Sequence, residues 1–266
     1  MQYNAEYKTC HHTALSILKE FGFGKRLMEY RIQIEVGDFI CKVKGQNGRP
    51  FNPDLMIMSS VMNIIHSILF GTRLEYGGPK IDQIIDVIHR LAASFLPELV
   101  SFPQLRYIPY YRRKWNAAIA VFIELSLYVG TAIDESRSDK NLECFVNSYL
   151  EIDPDRMKLN THLSNLLTAG AETSTMTLRW CLIILANHPD VQARLQKEID
   201  AVVPRGERLP SLDDRSRLPY VEAALLEVMR FKTLAPLCIP HMTLCDTIIE
   251  DRVILANTLV SVLFSY

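Results

Sequence analysis

Several features that would point to a function are scarce or missing in this sequence. Its 266 residues carry 29 Lys and Arg against 30 Asp and Glu, and no basic run is longer than Arg112-Arg113-Lys114. Proteins that bind nucleic acid usually concentrate basic residues, so nucleic acid is not an expected partner. The six cysteines include no C-x-x-C pair, and no N-x-S/T sequon occurs. We therefore expect reduced thiols rather than a disulfide frame or a structural zinc site.

Sequence features of membrane insertion are also scarce. The N-terminal stretch MQYNAEYKTCHH has no apolar core of the signal-peptide type. The longest apolar run, IAVFIELSLYVGTAI, contains Glu124 and is shorter than the roughly 20 residues that span a bilayer. We therefore expect the chain to carry no transmembrane anchor of its own.

Hydrophobic residues make up 48% of the chain and recur mostly at helical spacing, without internal repeats. We predict a mostly α domain over 1–266 with a small β element near the C-terminus. Proline-rich residues 97–109 are predicted to form a loop. The predicted helices lie at about 7–21, 26–44, 54–70, 80–95, 111–136, 140–150, 158–187, 188–203 and 221–232, and the predicted strands at 247–249, 253–255 and 259–263.

The centre of the longest predicted helix reads LLTAGAETST at 166–175. Ala169 and Thr173 are four residues apart and share a face, whereas Glu172 points about 100° away from Thr173. The threonine hydroxyl is expected to bond back to the carbonyl four residues earlier. Small residues beside a hydroxyl and an acid suit a proton relay next to a buried flat ligand. The alternative is a close helix crossing with a hydrated Glu172 at its rim.

A second pair, Glu227 and Arg230 in LLEVMRF, is spaced to form an ion pair on one helix face. Such pairs are common on solvated helices and contribute little there. The apolar neighbours of this pair nevertheless predict a largely buried helix.

These residues together resemble one family. AGAETS at 169–174 resembles the [A/G]-G-x-[D/E]-T-[T/S] signature of cytochrome P450, the haem-thiolate monooxygenases, and EVMR at 227–230 resembles that family's downstream E-x-x-R. NHPDVQARLQKEID, LPYVEAALLEVMRF and PLCIPHMTLCDT continue the likeness, which is closest to the microsomal drug- and steroid-metabolising branch. The resemblance covers nearly the whole chain and implies a partial P450 fold with a long central helix.

The resemblance assigns roles to individual residues. Thr173 would donate a hydrogen bond to bound dioxygen, and Glu172 would pass protons through water, as general acid chemistry requires. Glu227 and Arg230 would form a structural ion pair that does not touch substrate. Further haem contacts would come from Ala169, Gly170, Thr173, His241, Tyr7 and His11, the last two at the family's W-x-x-x-R positions. Substrate contacts would come from Leu166, Ala235, Pro236, Leu237 and Ile239.

The resemblance also implies haem b as cofactor and a small lipophilic substrate such as a steroid or xenobiotic. O2 would be the co-substrate, and electrons would come from NADPH through a flavoprotein reductase. The full-length parent would associate with the endoplasmic reticulum membrane on its cytoplasmic face. The family's axial cysteine lies in F-x-x-G-x-x-x-C-x-G, which this sequence does not contain. The sequence is therefore interpreted as an internal fragment of a monooxygenase, or as a truncated gene model, with the axial cysteine expected downstream of residue 266. Alone it should have little or no oxygenase activity.

Two alternatives remain open at this point. Cys10, His11 and His12 could be metal ligands, although consecutive helical residues point about 100° apart and do not converge on one ion without partners. The chain could also be a catalytically dead relative or a helical interaction protein. Retention of Glu172, Thr173 and the E-x-x-R pair argues against that second alternative.

Overall fold

A computed structural model describes residues 5–21, 26–139 and 141–263. Over this part of the chain the prediction of a mostly α fold is confirmed. The helices are α1 (Ala5–Glu20), α2 (Arg26–Gly45), α3 (Asp54–Phe70), α4 (Pro79–Ala93), α5 (Pro97–Ser101), α6 (Pro109–Ser138), α7 (Phe145–Ile152), α8 (Arg156–Asn187), α9 (Pro189–Val202) and α10 (Pro219–Phe231). Two 3-10 helices, Pro103–Tyr107 and Leu212–Arg217, lie between these elements.

The small β element predicted near the C-terminus consists of two antiparallel pairs. Strand β2 (Thr247–Ile249) pairs with β3 (Arg252–Ile254) through a turn in which Glu250 has a φ of 54°. Strand β1 (His241–Met242) pairs with β4 (Leu259–Val260). The sequence pattern did not predict β1, because two residues are too few to show an alternating pattern.

Local sequence explains where most helices begin. The Asp155 side chain accepts hydrogen bonds from the backbone N–H groups of Met157 and Lys158 at 2.9 and 3.1 Å, which caps α8. Five helices start with a proline in the first turn, where a missing N–H removes no hydrogen bond. The expectation of a plain loop at 97–109 is therefore wrong, since its prolines start α5, a 3-10 helix and α6.

The central packing contact is an antiparallel crossing of α3 and α8. Arg179 Nε of α8 lies 3.0 Å from Asp54 Oδ1 at the start of α3. Further along, Ile65 of α3 contacts the backbone of α8 at Gly170. Around this pair, α1, α2, α4, α6 and α7 complete one hydrophobic core. Its fully buried members include Met58, Met62, Ile84, Ile88, Leu125, Ile133, Phe145, Tyr149, Leu163 and Leu167.

The C-terminal end of α8 extends beyond α3, whose first residue, Asp54, lies at Arg179. At 1.5 Å per residue, the 32 residues of α8 span about 48 Å and the 17 residues of α3 about 25 Å. Leu182 and Ile183 lie beyond that contact and are consequently 45% and 51% exposed. The C-terminal end of α8 is therefore exposed although its sequence is apolar.

The helix that carries the E-x-x-R pair is also more exposed than its apolar sequence predicted. In α10, Leu225, Leu226, Met229 and Phe231 are 46–61% exposed, whereas Val228 is buried. The prediction of a largely buried helix is therefore wrong for the described part of the chain. An apolar sequence alone does not bury a helix, because burial needs a second surface that packs on it.

Helix α6 is the one described helix that is long and apolar enough to cross a membrane, a statement about length and composition only. Core helices of water-soluble folds pass the same test. In this fold α6 packs against α4 and α8. Arg90 of α4 bonds to Glu124 at 2.8 Å, and Ser126 donates to Asn160 of α8 at 2.8 Å. Its inward face adds buried Val121 and neighbouring core residues.

Candidate functional site

The residues of the 169–174 motif lie on different sides of α8. Ala169 and Thr173 are exposed on one side, and the Thr173 hydroxyl donates to the Ala169 carbonyl at 2.7 Å, as predicted. The resulting surface has no side chain larger than threonine at these two positions. It leaves room for a flat ligand against the backbone.

The other side of the same turn packs against α3. A Cβ on Gly170 would lie 2.9 Å from Ile65 Cδ1, so the glycine allows the two helices to approach. Ala171 is completely buried, and Thr175 donates to Met58 Sδ at 3.3 Å. Gly170 thus serves the close helix crossing, while Ala169 and Thr173 form the open surface. The two interpretations of the motif describe different faces of one helix.

Glu172 lies at the edge between these faces. Its side chain is half-buried, and its Oε2 atom is buried without a hydrogen-bond partner among the described residues. A buried polar atom without a partner is unfavourable. The position therefore suits a water molecule or ligand that donates a hydrogen bond to Oε2.

The predicted ion pair on α10 is present. Arg230 donates from Nε and Nη2 to the two carboxylate oxygens of Glu227, at 2.7 and 2.6 Å. The pair holds the pKa of Glu227 below its usual range. Because both side chains are exposed, the pair contributes little to stability on its own.

The two residues at the family's W-x-x-x-R positions stack on α1. The rings of Tyr7 and His11 lie 5.9 Å apart at an angle of 18°. Cys10 is buried, whereas His11 and His12 are exposed. No group of three or more metal-ligating side chains forms among the described residues, so the alternative metal site at positions 10–12 gains no support.

The remaining predicted contacts lie in two separate places. Leu166 packs against the hydrophobic core. Ala235, Pro236, Leu237 and Ile239 are exposed in the segment that follows α10. His241 is exposed in β1. The role of these residues toward substrate and haem stays a prediction.

An apolar cavity of about 810 Å³ lies beside α8, and the sequence pattern did not predict it. It is formed where the end of α4, α5 and the start of α6 meet α8. The prolines and aromatic residues of this region are the one sequence signal that could have indicated it. Its lining residues are Leu91, Ala92, Ser94, Phe95, Leu96, Leu99, Pro103, Trp115, Ala118 and Thr168.

Comparison with known proteins agrees with these features. The sequence model of the cytochrome P450 family matches residues 3–266. The chain belongs to the cytochrome P450 family. It is 31% identical over 271 residues to cytochrome P450 2B19 of Mus musculus, covering 95% of this chain and 54% of the relative. It is 36% identical over 258 residues to cytochrome P450 2F5 of Gorilla gorilla gorilla, covering 91% and 52%. The P450 chain thus spans about half the length of the curated relatives it matches.

Proposed function

We propose that this P450 chain is part of a haem-dependent monooxygenase. Its Ala169–Thr173 surface, here called the oxygen-side surface, would face the side of the haem on which O2 binds. The complete enzyme inserts one oxygen atom of O2 into a small lipophilic substrate such as a steroid or xenobiotic. Electrons come from NADPH through a flavoprotein reductase, and the full-length parent lies on the cytoplasmic face of the endoplasmic reticulum membrane. The main support is the open Ala169–Thr173 surface of α8, which begins one residue after Thr168, a lining residue of the apolar cavity.

The described residues fit one face of a haem. The small side chains of Ala169 and Thr173 leave room for the macrocycle to lie against α8. Glu172, whose Oε2 has no hydrogen-bond partner among the described residues, is adjacent to Thr173 on the helix. Tyr7, His11 and His241 are the proposed propionate contacts. Bound haem would supply the iron that activates O2, and a cysteine thiolate would supply electron density to that iron. We place that cysteine downstream of residue 266, because none of the six present has the family's motif around it.

The chain's own residues have distinct tasks in this proposal. The Thr173 hydroxyl exchanges its bond to the Ala169 carbonyl for one to the ligand on the open face. Glu172 Oε2 accepts a hydrogen bond from water and so holds a proton source near that hydroxyl. The cavity at Thr168 excludes water from a lipophilic substrate. Glu227 and Arg230 brace α10 and do not contact substrate.

The role of Thr173 is tested in the full-length holoenzyme by comparing Thr173→Val, Thr173→Ser and Thr177→Val. Thr177 is the matched control, since its hydroxyl also donates to a carbonyl four residues earlier, at 3.0 Å. Positioned proton transfer contributes about 10²–10⁴ in rate. We therefore expect Thr173→Val to lower product formed per NADPH consumed by tenfold or more. The serine variant and the Thr177 variant should retain it. Equal losses of product per NADPH in Thr173→Val and Thr177→Val would contradict the proposed role of Thr173.

The axial ligand is tested in two ways. Sequencing the transcript beyond the codon for Tyr266 should reveal the F-x-x-G-x-x-x-C-x-G segment. The 266-residue polypeptide, reconstituted with haem and reduced under carbon monoxide, should lack the thiolate-type Soret shift. A stop codon directly after Tyr266 would instead favour an inactive relative or a helical interaction protein. A thiolate-type shift from the polypeptide alone would show that one of its own cysteines serves as ligand.

A further inference from the structure

A second cavity lies on the side of the molecule formed by α3, α4 and α6. Its volume is about 260 Å³, and no described residue of α8 lines it. His66 of α3 lies on its wall, together with Leu74 of the loop after α3 and Tyr128 of α6. Lys80 and Glu135 also line it. This cavity is therefore separate from the proposed oxygen-side surface and from the cavity at Thr168.

His66 presents an unused hydrogen-bond acceptor to this cavity. Its side chain is 3% exposed, and Nδ1 lies 2.8 Å from the carbonyl oxygen of Thr72. A carbonyl accepts only, so Nδ1 carries the hydrogen and Nε2 of the neutral ring is an acceptor. No described residue donates to Nε2. Burial lowers the pKa of His66, an effect larger than the opposing influences of the Thr72 carbonyl and Glu135. The ring is thus neutral near pH 7.

Four of the other lining residues are apolar or aromatic, and Gln83 and Thr131 add uncharged polar groups. The Tyr128 ring lies 6.4 Å from the His66 ring, and Leu74, Leu127 and Ala132 complete the apolar surface. This surface suits an aromatic ring, which packs well on the faces and edges of other aromatic rings.

Charges at the edge of the cavity favour a neutral ligand. Lys80 Nζ lies 2.7 Å from Glu135 Oε1, so its charge is already paired. Glu124 adds a further carboxylate to the lining and pairs with Arg90 of α4. Each of these charges already has an opposite charge as its partner, so an ionic ligand would gain little compensation for its lost hydration.

We propose that this cavity binds a small neutral aromatic alcohol, whose hydroxyl donates a hydrogen bond to His66 Nε2 and whose ring packs against Tyr128. Drug-sized ligands occupy pockets of about 300–1,000 Å³. A cavity of about 260 Å³ therefore suits a molecule of one or two fused rings. Binding at this site requires neither haem nor the oxygen-side surface, so its test is independent of the proposed monooxygenase function.

A pair of ligands tests the hydrogen bond without any change to the protein. Isothermal titration calorimetry compares 2-naphthol with 2-methoxynaphthalene, which has the same rings but no donor. We expect 2-naphthol to bind with one-to-one stoichiometry and about tenfold more tightly, since a hydrogen bond in a buried site contributes about that much. Equal affinities, or no binding of 2-naphthol, would overturn the proposal.

Two variants test the location. Thr131 lies exposed on the rim and donates to the Leu127 carbonyl at 3.1 Å, so Thr131→Trp places an indole in the cavity while His66 is kept. The control is Thr161→Trp on α8, where the hydroxyl donates to the Met157 carbonyl at 3.0 Å and lines no part of this cavity. We expect at least a tenfold loss of 2-naphthol affinity in the first variant and an unchanged affinity in the second. Unchanged binding by Thr131→Trp would place the ligand elsewhere and refute the assignment.

Discussion

Replacing Gly71 with alanine is expected to destabilise the fold much more than replacing Gly48 with alanine. Both glycines have left-handed backbone, with φ of +77° and +75°. Gly71 ends α3, and its N–H donates to the Ser67 carbonyl at 3.1 Å. Because the two backbone angles nearly coincide, the two variants share the same conformational strain and differ only in what the added methyl group meets.

The expected magnitudes follow from those neighbours. A Cβ on Gly71 would lie 2.6 Å from Leu142 Cγ and 3.1 Å from Cys144 Cβ, whereas a Cβ on Gly48 meets nothing within 4 Å. Left-handed backbone costs an L-residue about 1–2 kcal/mol. Overpacking in a closed site adds about 1–3 kcal/mol. The free energy of unfolding should therefore fall by about 1–2 kcal/mol for Gly48→Ala. For Gly71→Ala it should fall by about 2–5 kcal/mol.

Urea unfolding followed by far-ultraviolet circular dichroism measures both losses, provided that the m-values match. The Leu142→Ala background supplies the control, because truncating Leu142 makes room for the new methyl group. In that background the loss at position 71 should shrink toward the loss at position 48. Equal losses for the two single variants, or an undiminished loss in the Leu142→Ala background, would refute the argument from crowding.

Three further predictions concern buried and capping carboxylates. Glu35 is 2% exposed and forms an ion pair with Arg73, so Glu35→Ala should lower the free energy of unfolding by about 3 kcal/mol. Asp38 also pairs with Arg73 but is exposed, so Asp38→Ala should lower it by less than about 1 kcal/mol in the same urea titration. Arg208 holds the pKa of Asp214 well below its usual range. The ionised Asp214 therefore stabilises the folded state at pH values above its unfolded-state pKa of about 3.9. This stabilisation is lost as the pH falls from there toward the lower pKa of the folded state. Asp214→Asn should therefore lower the urea midpoint at pH 7, with a smaller difference from wild type below about pH 4; a constant difference at all pH values would contradict this. Asp155→Ala removes the cap of α8 and should lower the thermal midpoint by the equivalent of about 1 kcal/mol, whereas Asn165→Ala, exposed within the same helix, should not lower it; an equal drop in both variants would argue against the cap.

Features that depend on neighbouring residues were predictable from the sequence. Asp155 caps α8 through residues two and three positions away, and Thr173 bonds to a carbonyl four positions back. The ion pair of Glu227 and Arg230 joins residues three positions apart. Each needs only a helix, and the apolar spacing of the sequence indicates the helices. The P450 signatures likewise lie within short segments, so these segments by themselves indicate the family.

Features that depend on distant residues could not be predicted in this way. The sequence left open whether the small residues of the motif face a ligand or a helix. In the structure, Gly170 packs against Ile65 of α3, whereas Ala169 is exposed. Likewise, apolar α10 was expected to be buried, yet most of its apolar side chains are exposed.

The sequence alone therefore determined most of the helices, the hydrogen bonds within them, the signature residues and the family. The tertiary structure decided which faces are covered and where the two cavities lie. It also decided that no described residue donates to His66 Nε2 in one of them. The physical reason is the range of the interactions. Helices and caps are stabilised by hydrogen bonds between residues up to four apart, whereas burial requires a partner surface from elsewhere in the chain.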